Sequence, residues 1–219
     1  MDDPIALIEL GFRLACEKHE QTHYRWRALH HKLEQLRGND APYDAGNHDA
    51  RIDCLLREME DDQVRYICAT GKRSAHPNSR TKLQIQLSRY WISSTYELLR
   101  TTSQAMGQGS EFFKLISKHK HMFAAYRVPI SKQEPHRVAK PSLIQELDLE
   151  QSNSEKAMKG ELPGIKVLYE GSGSYRVKPL FDLDSGSIGF VVYDGKAKTL
   201  VGKPRRELSD MNYPPKFGQ

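Results

Sequence analysis

The chain has little cysteine, no long apolar run and no signal-like start, and each absence removes a class of protein. Its three cysteines are widely spaced and form no C-x-x-C pair, which argues against a disulfide framework and against a cysteine zinc knuckle. No apolar run approaches the roughly 20 residues that a membrane helix needs. The first residues are acidic, whereas a signal peptide begins with basic ones. We therefore expect a cytoplasmic protein without membrane association.

Common enzyme signatures are also missing. The sequence contains no Walker phosphate loop, no G-x-G-x-x-G and no Gly-x-Ser-x-Gly. The glycine-containing strings at 171–173 and 186–189 are typical of turns between strands. The sequence therefore lacks the usual motifs of nucleotide-binding enzymes and of serine hydrolases.

The composition that remains is that of a polar globular protein. Hydrophobic residues make up 38% of the 219 residues, and the mean hydropathy is −0.67. A chain of this length can bury a substantial core. It has room for one large domain, or for a domain with an appendage.

The most regular pattern is an apolar stripe near the N-terminus. Between residues 8 and 36 apolar side chains recur every three or four positions, which is the period of a helix packed along one face. Asp3 is a suitable N-cap ahead of Pro4, and Gly38 is a suitable stop. We predict one continuous helix over residues 4–37, packed in a bundle or in a dimer seam.

Three further helices and a β element complete the predicted fold, which is α+β and mainly α. The helices are expected over 49–70, over 79–106 and from 110 to Pro129. A basic extended segment (132–140), a short helix (143–149) and a polar linker (151–160) follow. Short strands are expected over 165–169, 175–181, 187–193 and 199–201.

The architecture is therefore a four-helix array with a long first helix, plus a small C-terminal antiparallel β element. The predicted domains are a helical bundle (1–128), a basic extended segment with a polar linker (129–163) and a small β-hairpin or sheet appendage (164–219).

The first helix carries the string H-E-x-x-H, from His19 to His23, which is the pentapeptide of zinc peptidases. Two histidines one turn apart share a helix face, and Glu20 would act as general base toward a metal-bound water. Trp26 and Leu29 occupy the positions where metzincins have a glycine and a third histidine.

No third ligand is therefore marked by the sequence. A downstream Glu58 or Glu60 is a candidate, but nothing selects one of them. We predict no metal and no other cofactor, with zinc as the alternative. His119, in core phase on the fourth helix, is the other residue that an alternative metal site with His19 and His23 would use.

Arg25 and His30 give the string R-x4-H, which resembles the motif of the HEPN ribonucleases. Those proteins are helical bundles, and their motif lies late in the bundle at a dimer interface. Here the motif lies on the first helix, and Trp26 stands where the family usually has a polar residue. The resemblance implies a hydrolase that would use Arg25 and His30.

Positive charge is concentrated in one stretch. Residues 114–140 hold seven basic residues and one acidic residue, a net charge of +6, so the rest of the chain sums to −1. Such a run favours contact with nucleic acid or another polyanion, although basic runs are also common on solvated faces. The candidate polyanion-binding residues are Lys114, Lys118, Lys120, Arg127, Lys132, Arg137 and Lys140.

Three strings resemble those of uncharacterised bacterial proteins of similar length. They are RYWISSTYELLR at 89–100, RVPISKQEP at 127–135 and RRELSD at 205–210. The resemblance implies a bacterial cytoplasmic origin and carries no activity.

The sequence thus favours a non-enzymatic binding or assembly module. Its expected contact surfaces are helix 1, for a protein partner or a second copy, and the basic segment, for nucleic acid or another polyanion. The alternative is a metal-dependent or HEPN-like hydrolase that uses His19, Glu20 and His23, or Arg25 and His30.

Overall fold

A computed structural model describes residues 3–38, 45–71, 79–106, 110–138, 140, 142–147, 164–171 and 174–211. Its helices are α1 (Pro4–Lys18), α2 (Glu20–Leu36), α3 (Ala45–Thr70), α4 (Ser79–Ala105), α5 (Glu111–Lys132) and α6 (Arg205–Met211). Its strands are β1 (Ser142–Leu147), β2 (Gly164–Tyr169), β3 (Lys178–Phe181), β4 (Ile188–Asp194) and β5 (Thr199–Pro204).

The described chain is mainly helical and carries small antiparallel sheets. Strands β1 and β2 form a two-stranded sheet, and β3, β4 and β5 form a three-stranded sheet with β4 in the middle. The predicted combination of a helical majority with a small C-terminal antiparallel sheet is confirmed. None of the described helices combines the length and the apolar character that crossing a membrane requires.

The first helical stretch is broken at His19, so the prediction of one continuous helix over 4–37 is wrong. The backbone of His19 has φ −111° and ψ 41°, outside the helical region. The flanking turns still close, because the His19 N–H donates to the Ala15 carbonyl and the His23 N–H donates to the His19 carbonyl, each at 3.0 Å. The chain therefore bends sharply at a single residue.

Packing against α3 explains the bend. Contacts between α1 and α3 advance in the same direction, from Arg51 with Glu9 to Glu58 with Lys18.

Contacts between α2 and α3 advance in the opposite direction. Trp26 of α2 donates to Asp53, whereas His30, one turn later, lies beside Asp49. A straight helix cannot run along α3 in both directions, so the two halves must be separate helices.

Asp3 and Ser110 cap the N-termini of α1 and α5 as their sequence positions indicate, but the C-terminus of α5 lies beyond the predicted one. The side chain of Asp3 accepts from the Ile5 N–H at 2.9 Å, and that of Ser110 accepts from the Phe113 N–H at 3.0 Å. Helix α5 continues through Pro129 to Lys132 instead of ending at the proline. In this last turn the Pro129 carbonyl still accepts from the Gln133 N–H at 3.0 Å, so the helix completes one more turn.

The prediction of a short helix after α5 is also wrong. Residues 142–147 form strand β1 rather than a helix, because each of them is paired with a residue of β2. The segment 132–140 is not uniformly exposed: Pro135 and His136 are buried, and His136 forms a parallel bridge with Asp194. The predicted linker at 151–160 lies outside the described residues.

The main core joins the helices to the sheet. Trp26 and Trp91 meet edge to face with ring centroids 5.6 Å apart, and Phe123 lies 5.7 Å from Trp91. Phe190 of β4 and Leu208 of α6 belong to the same core. The predicted domain bounds stay predictions, but the described part of 164–219 is joined to the helices by a shared core.

We predict that Trp26→Ala lowers the free energy of unfolding by about 3–5 kcal/mol, because the large side chain has no solvent exposure and its loss leaves a cavity. Urea denaturation followed by circular dichroism measures this. Tyr24 lies on the same helix but is 73% exposed, so Tyr24→Ala should change stability by about 0.5 kcal/mol or less. Equal midpoints for wild type and Trp26→Ala would contradict the packing.

Candidate functional site

The structure separates the two histidines of the H-E-x-x-H string. His19 lies at the break between α1 and α2 and points toward α3. His23 lines a groove of about 700 Å³ together with Glu9 and Arg51. Glu20 is exposed. The bend at His19 accounts for this divergence, because it removes the regular helix that would hold both rings on one face.

The R-x4-H residues do not meet either. Arg25 is exposed, whereas His30 is buried against the ring of Trp26 at 5.7 Å. Residues five apart lie on different faces of a helix, so neither ring nor guanidinium can reach the other within one chain.

His30 has a carboxylate neighbour of its own. Its Nε2 lies 3.8 Å from Oδ2 of Asp49. Burial lowers the pKa of His30 to about 4, and burial raises the pKa of Asp49 to about 6. The imidazole is therefore neutral at neutral pH and forms part of the packed core beside Trp26.

Both ring nitrogens of His119 lie within hydrogen-bond distance of backbone carbonyl oxygens. Its Nδ1 lies 2.9 Å from the Leu115 carbonyl oxygen, and its Nε2 lies 3.1 Å from the carbonyl oxygen of Met211. The alternative metal set of His19, His23 and His119 is therefore not assembled.

Two carboxylates of α3 lie close to the ring of His19. Its Nε2 lies 3.6 Å from Oε2 of Glu58 and 3.9 Å from Oδ2 of Asp61. Both carboxylates also have cationic neighbours: Lys18 and Arg65 for Glu58, and Arg206 for Asp61. Among the described ranges this is the one group of His, Cys, Asp or Glu side chains close enough to share a metal ion.

The most buried charges of the molecule form a separate network that the sequence reasoning missed. Arg205 has no solvent exposure, and neither do Asp53 and Glu60, its two carboxylate partners. The guanidinium donates to both oxygens of Glu60 at 2.8 Å and also to Asp53. Arg205 additionally lies over the ring of Trp91, 5.3 Å from its centroid.

The remaining lone pairs of the network are also satisfied. Oδ2 of Asp53 accepts from Trp26 at 3.1 Å and from Arg57 and Ser209 at 3.0 Å. Burial alone would raise the pKa of Asp53, but Arg205 and Arg57 together lower it, so the carboxylate is ionised at neutral pH. The network is closed to solvent and has the form of a structural clamp.

A sequence signal for this clamp exists. Asp53, Arg57 and Glu60 are spaced four and three apart, which places them on the inward stripe of α3. Charged residues at stripe positions require buried partners. The partner, Arg205, lies 145 residues beyond Glu60, so the spacing on α3 could not identify it.

The predicted polyanion residues divide between two faces of α5. Lys120 donates to Ser103 at 3.1 Å, and Arg127 donates to Glu97 at 3.2 Å, so these two are engaged inside the fold. The exposed ones are Lys114, Lys118, Lys132, Arg137 and Lys140. Helical periodicity explains the division, because 114, 118 and 132 share one face and 120 and 127 share the opposite one.

Two further cations join the exposed set through tertiary structure. The bridge between His136 and Asp194 places Arg137 beside the β4–β5 turn, where the Gly195 N–H donates to the His136 carbonyl at 2.9 Å. That turn carries exposed Lys196 and Lys198. We call the following residues the basic surface: Lys114, Lys118, Lys132, Arg137, Lys140, Lys196 and Lys198.

His121 links α5 to the rest of the basic surface. Its pKa is lowered by burial and by the positive charges of Lys120 and Arg137. Arg137 therefore lies near His121, which is one helical turn from Lys118 on the same face of α5. Within the ranges that the structure covers, no cation of the basic surface forms an ion pair.

Comparison of the chain with protein families, with curated proteins and with solved structures finds no match in any of the three.

We predict that Arg205→Met lowers the free energy of unfolding by about 3–5 kcal/mol, because it leaves Asp53 and Glu60 buried without their common partner. The neighbouring Arg206 is the matched control. It is a quarter exposed and pairs closely with Asp61, and its contact with Glu60 is long, at 3.8 Å, so Arg206→Met should cost about 1 kcal/mol or less. Chemical denaturation of both variants decides the point, and equal losses would rule out the clamp.

Proposed function

We propose that the protein is a non-enzymatic binding and assembly module whose basic surface contacts the phosphates of nucleic acid. The observation that carries this proposal is the convergence of exposed cations from three separate segments that form no ion pair with any other residue that the structure describes. A cation that is not neutralised within its own chain retains its full attraction for phosphate. Each such contact releases a condensed counterion, which favours binding at low salt.

The dimensions of the basic surface suit a nucleic acid backbone. The α5 face from Lys114 to Lys132 covers 18 residues, or roughly 27 Å at 1.5 Å per residue. This length corresponds to roughly eight steps of 3.4 Å along a duplex. Phosphate contacts of this kind position a duplex without reading its sequence.

The aromatic residues of α5 support duplex rather than single-stranded nucleic acid as the partner. Phe123 and Tyr126 are buried in the main core, and Phe112, which is 37% exposed, is two residues from Lys114 and therefore on the opposite face of α5. None of these three rings offers a stacking platform beside the basic surface. Single-strand binders combine a basic groove with exposed aromatic rings. We therefore expect backbone contacts and little preference for single strands.

Helix α1 supports the assembly part of the proposal. Ile5 is 71% exposed, Ile8 58% and Leu14 54%. A helix with apolar residues on all sides is normally buried, and a contiguous exposed apolar patch marks an interaction site. Something must cover this helix in the working form of the protein.

We propose a second copy of the chain as the covering partner. Leu7, Ile8 and Leu14 lie within about 60° of Gly11 around the helix axis, so an antiparallel pair of α1 helices crossing at Gly11 would bury these exposed apolar side chains against those of the other copy. Gly11 has no atom of another segment within 4 Å of the position its Cβ would take. Its small size therefore leaves room for close helix approach. A dimer would present two basic surfaces to one duplex and raise the avidity.

The hydrolase alternative receives less support. The arrangement that it needs, His19 with His23 or Arg25 with His30, is absent from the described chain. The proposal therefore does not assign these residues a catalytic role.

We predict that replacing Arg137, Lys196 and Lys198 with Gln weakens duplex binding and reduces the salt slope by up to about three. The control replaces Arg25, Arg27 and Lys82 with Gln, since these cations are exposed on other helices. Both variants lose three positive charges, so the comparison isolates position from net charge. Fluorescence anisotropy of a labelled 20-base-pair duplex at several salt concentrations measures the effect.

Two results would contradict nucleic acid binding through this surface. One is an absence of duplex binding by the wild type at low salt. The other is an equal loss of affinity in both triple variants, which would indicate a general charge effect. If the protein binds heparin but not duplex DNA, the partner of the basic surface is a polyanion other than nucleic acid.

We predict that Leu14→Glu converts a dimer into a monomer, because a buried carboxylate in the α1 seam would lack a partner. Leu83 of α4 is the control: its exposure of 51% is close to the 54% of Leu14. Leu83→Glu should leave the dimer intact. Size-exclusion chromatography with light scattering reports the mass of each variant. A wild type that stays monomeric at all accessible concentrations would contradict the seam.

A further inference from the structure

We propose that His19, Glu58 and Asp61 form a binding site for a divalent transition-metal cation of the zinc type. This site shares only His19 with the H-E-x-x-H string. It does not depend on the proposed nucleic acid binding.

The geometry fits a small cation. The Nε2 of His19 lies 3.6 Å and 3.9 Å from the nearest oxygens of the two carboxylates, and one ligand atom from each residue falls within 4.8 Å of the others. Zinc bonds to histidine nitrogen and carboxylate oxygen are about 2.0–2.2 Å long, so tetrahedral ligand atoms lie about 3.4 Å apart. The two distances to His19 would have to shorten by roughly 0.2 and 0.5 Å, and the two carboxylate oxygens, which lie up to 4.8 Å apart, by up to about 1.4 Å, to complete three bonds with a fourth position for water.

The backbone presents these ligands from two fixed helices. Glu58 and Asp61 are three residues apart on α3, so their side chains are neighbours on one face. His19 lies at the N-cap of α2, but its side chain makes no capping hydrogen bond. Its ring is therefore turned toward α3 instead of the helix end.

The Nε2 atom of His19 lacks a hydrogen-bond partner in the described chain although it is shielded from solvent. A shielded polar atom without a partner costs about 1–3 kcal/mol, and a bound ion is one of the partners that can satisfy it. Burial lowers the pKa of His19, against the opposing effect of Asp61 and Glu58. The ring is therefore neutral at neutral pH, which is the state that binds metal.

The main competitor for this site is the surrounding set of ion pairs. Lys18 lies 2.5 Å from Oε2 of Glu58, the same oxygen that faces His19. The side chain of Lys18 is 45% exposed and that of Arg65 is 55% exposed, so both can turn into solvent when a cation arrives. The metal would replace one ammonium charge by a doubly charged ion between two carboxylates.

Isothermal titration calorimetry of untagged protein with zinc chloride, followed by elemental analysis after dialysis, tests the site. We expect about one zinc per chain, with affinity reduced at least tenfold in His19→Ala, Glu58→Gln and Asp61→Asn. Glu58→Gln and Asp61→Asn keep the shape of the side chains, so they protect the test against misfolding. Cobalt chloride gives a second readout through the visible absorption bands of tetrahedral cobalt.

Two further variants separate this site from its competitors. His23→Ala should retain the zinc, whereas loss of zinc in His23→Ala would assign the metal to the H-E-x-x-H pair and overturn the proposal. Lys18→Met should tighten zinc binding several-fold by removing the competing ammonium, an effect that a pure ion-pair network would not produce. An absence of zinc binding at millimolar concentration in both wild type and Lys18→Met would also overturn it.

Discussion

The contact on which the rest of the structure depends is the burial of Arg205 between Asp53 and Glu60. Withdrawing these groups from water is costly, and only complete pairing offsets the desolvation. The network meets that condition, since Arg57 balances the second carboxylate charge and Ser187 and Ser209 fill remaining positions. Because each charge is balanced by another, removal of one residue leaves the others buried without a counter-charge. The C-terminal strands are therefore held on α3 by an arrangement that forms as a whole, and Trp26 and Trp91 pack around it.

This clamp also determines where the basic surface forms. Arg205 directly follows β5, and β5 pairs with β4, whose last residue is Asp194. Fixing β5 on α3 thus fixes the β4–β5 turn, and the bridge from Asp194 to His136 fixes the segment after α5 against that turn. This series of contacts places Lys196 and Lys198 beside Arg137. The position of the proposed polyanion surface therefore depends on the paired charges that are buried in the core.

Local sequence patterns predicted the elements whose packing is uniform along their length. Helices α3 and α4 agree with the expected 49–70 and 79–106, because an unbroken 3.6-residue stripe determines a helix that contacts its neighbours throughout. The break at His19 was not predicted, because the apolar stripe continues in phase across it. The direction in which the helix runs along α3 nevertheless reverses at this residue. Strand β1 was mistaken for a helix because its conformation is set by pairing with β2, more than ten residues further along the chain. Pro129 was taken as a helix end, yet α5 runs one turn beyond it to Lys132. The proline lacks the N–H that would bond the Ala125 carbonyl, but its own carbonyl accepts from the Gln133 N–H.

Prediction of the candidate sites from the sequence was limited in the same way, and the residues of α3 show the physical reason. The sequence offered Glu58 and Glu60 as equivalent ligands for His19, yet two positions along a helix correspond to a rotation of about 200°. Glu60 shares the inward stripe with Asp53 and meets Arg205 in the core, whereas Glu58 and Asp61 lie on the flank that faces the α1–α2 junction. The helical period alone would have separated the two glutamates, once one of them was known to be buried. The helical period could not identify the residues that contact each glutamate, because Arg205 and His19 come from opposite ends of the sequence. Residue types and spacing thus predict which chemistry a helix can offer, and the distant segment that packs on each face decides which of those residues is used.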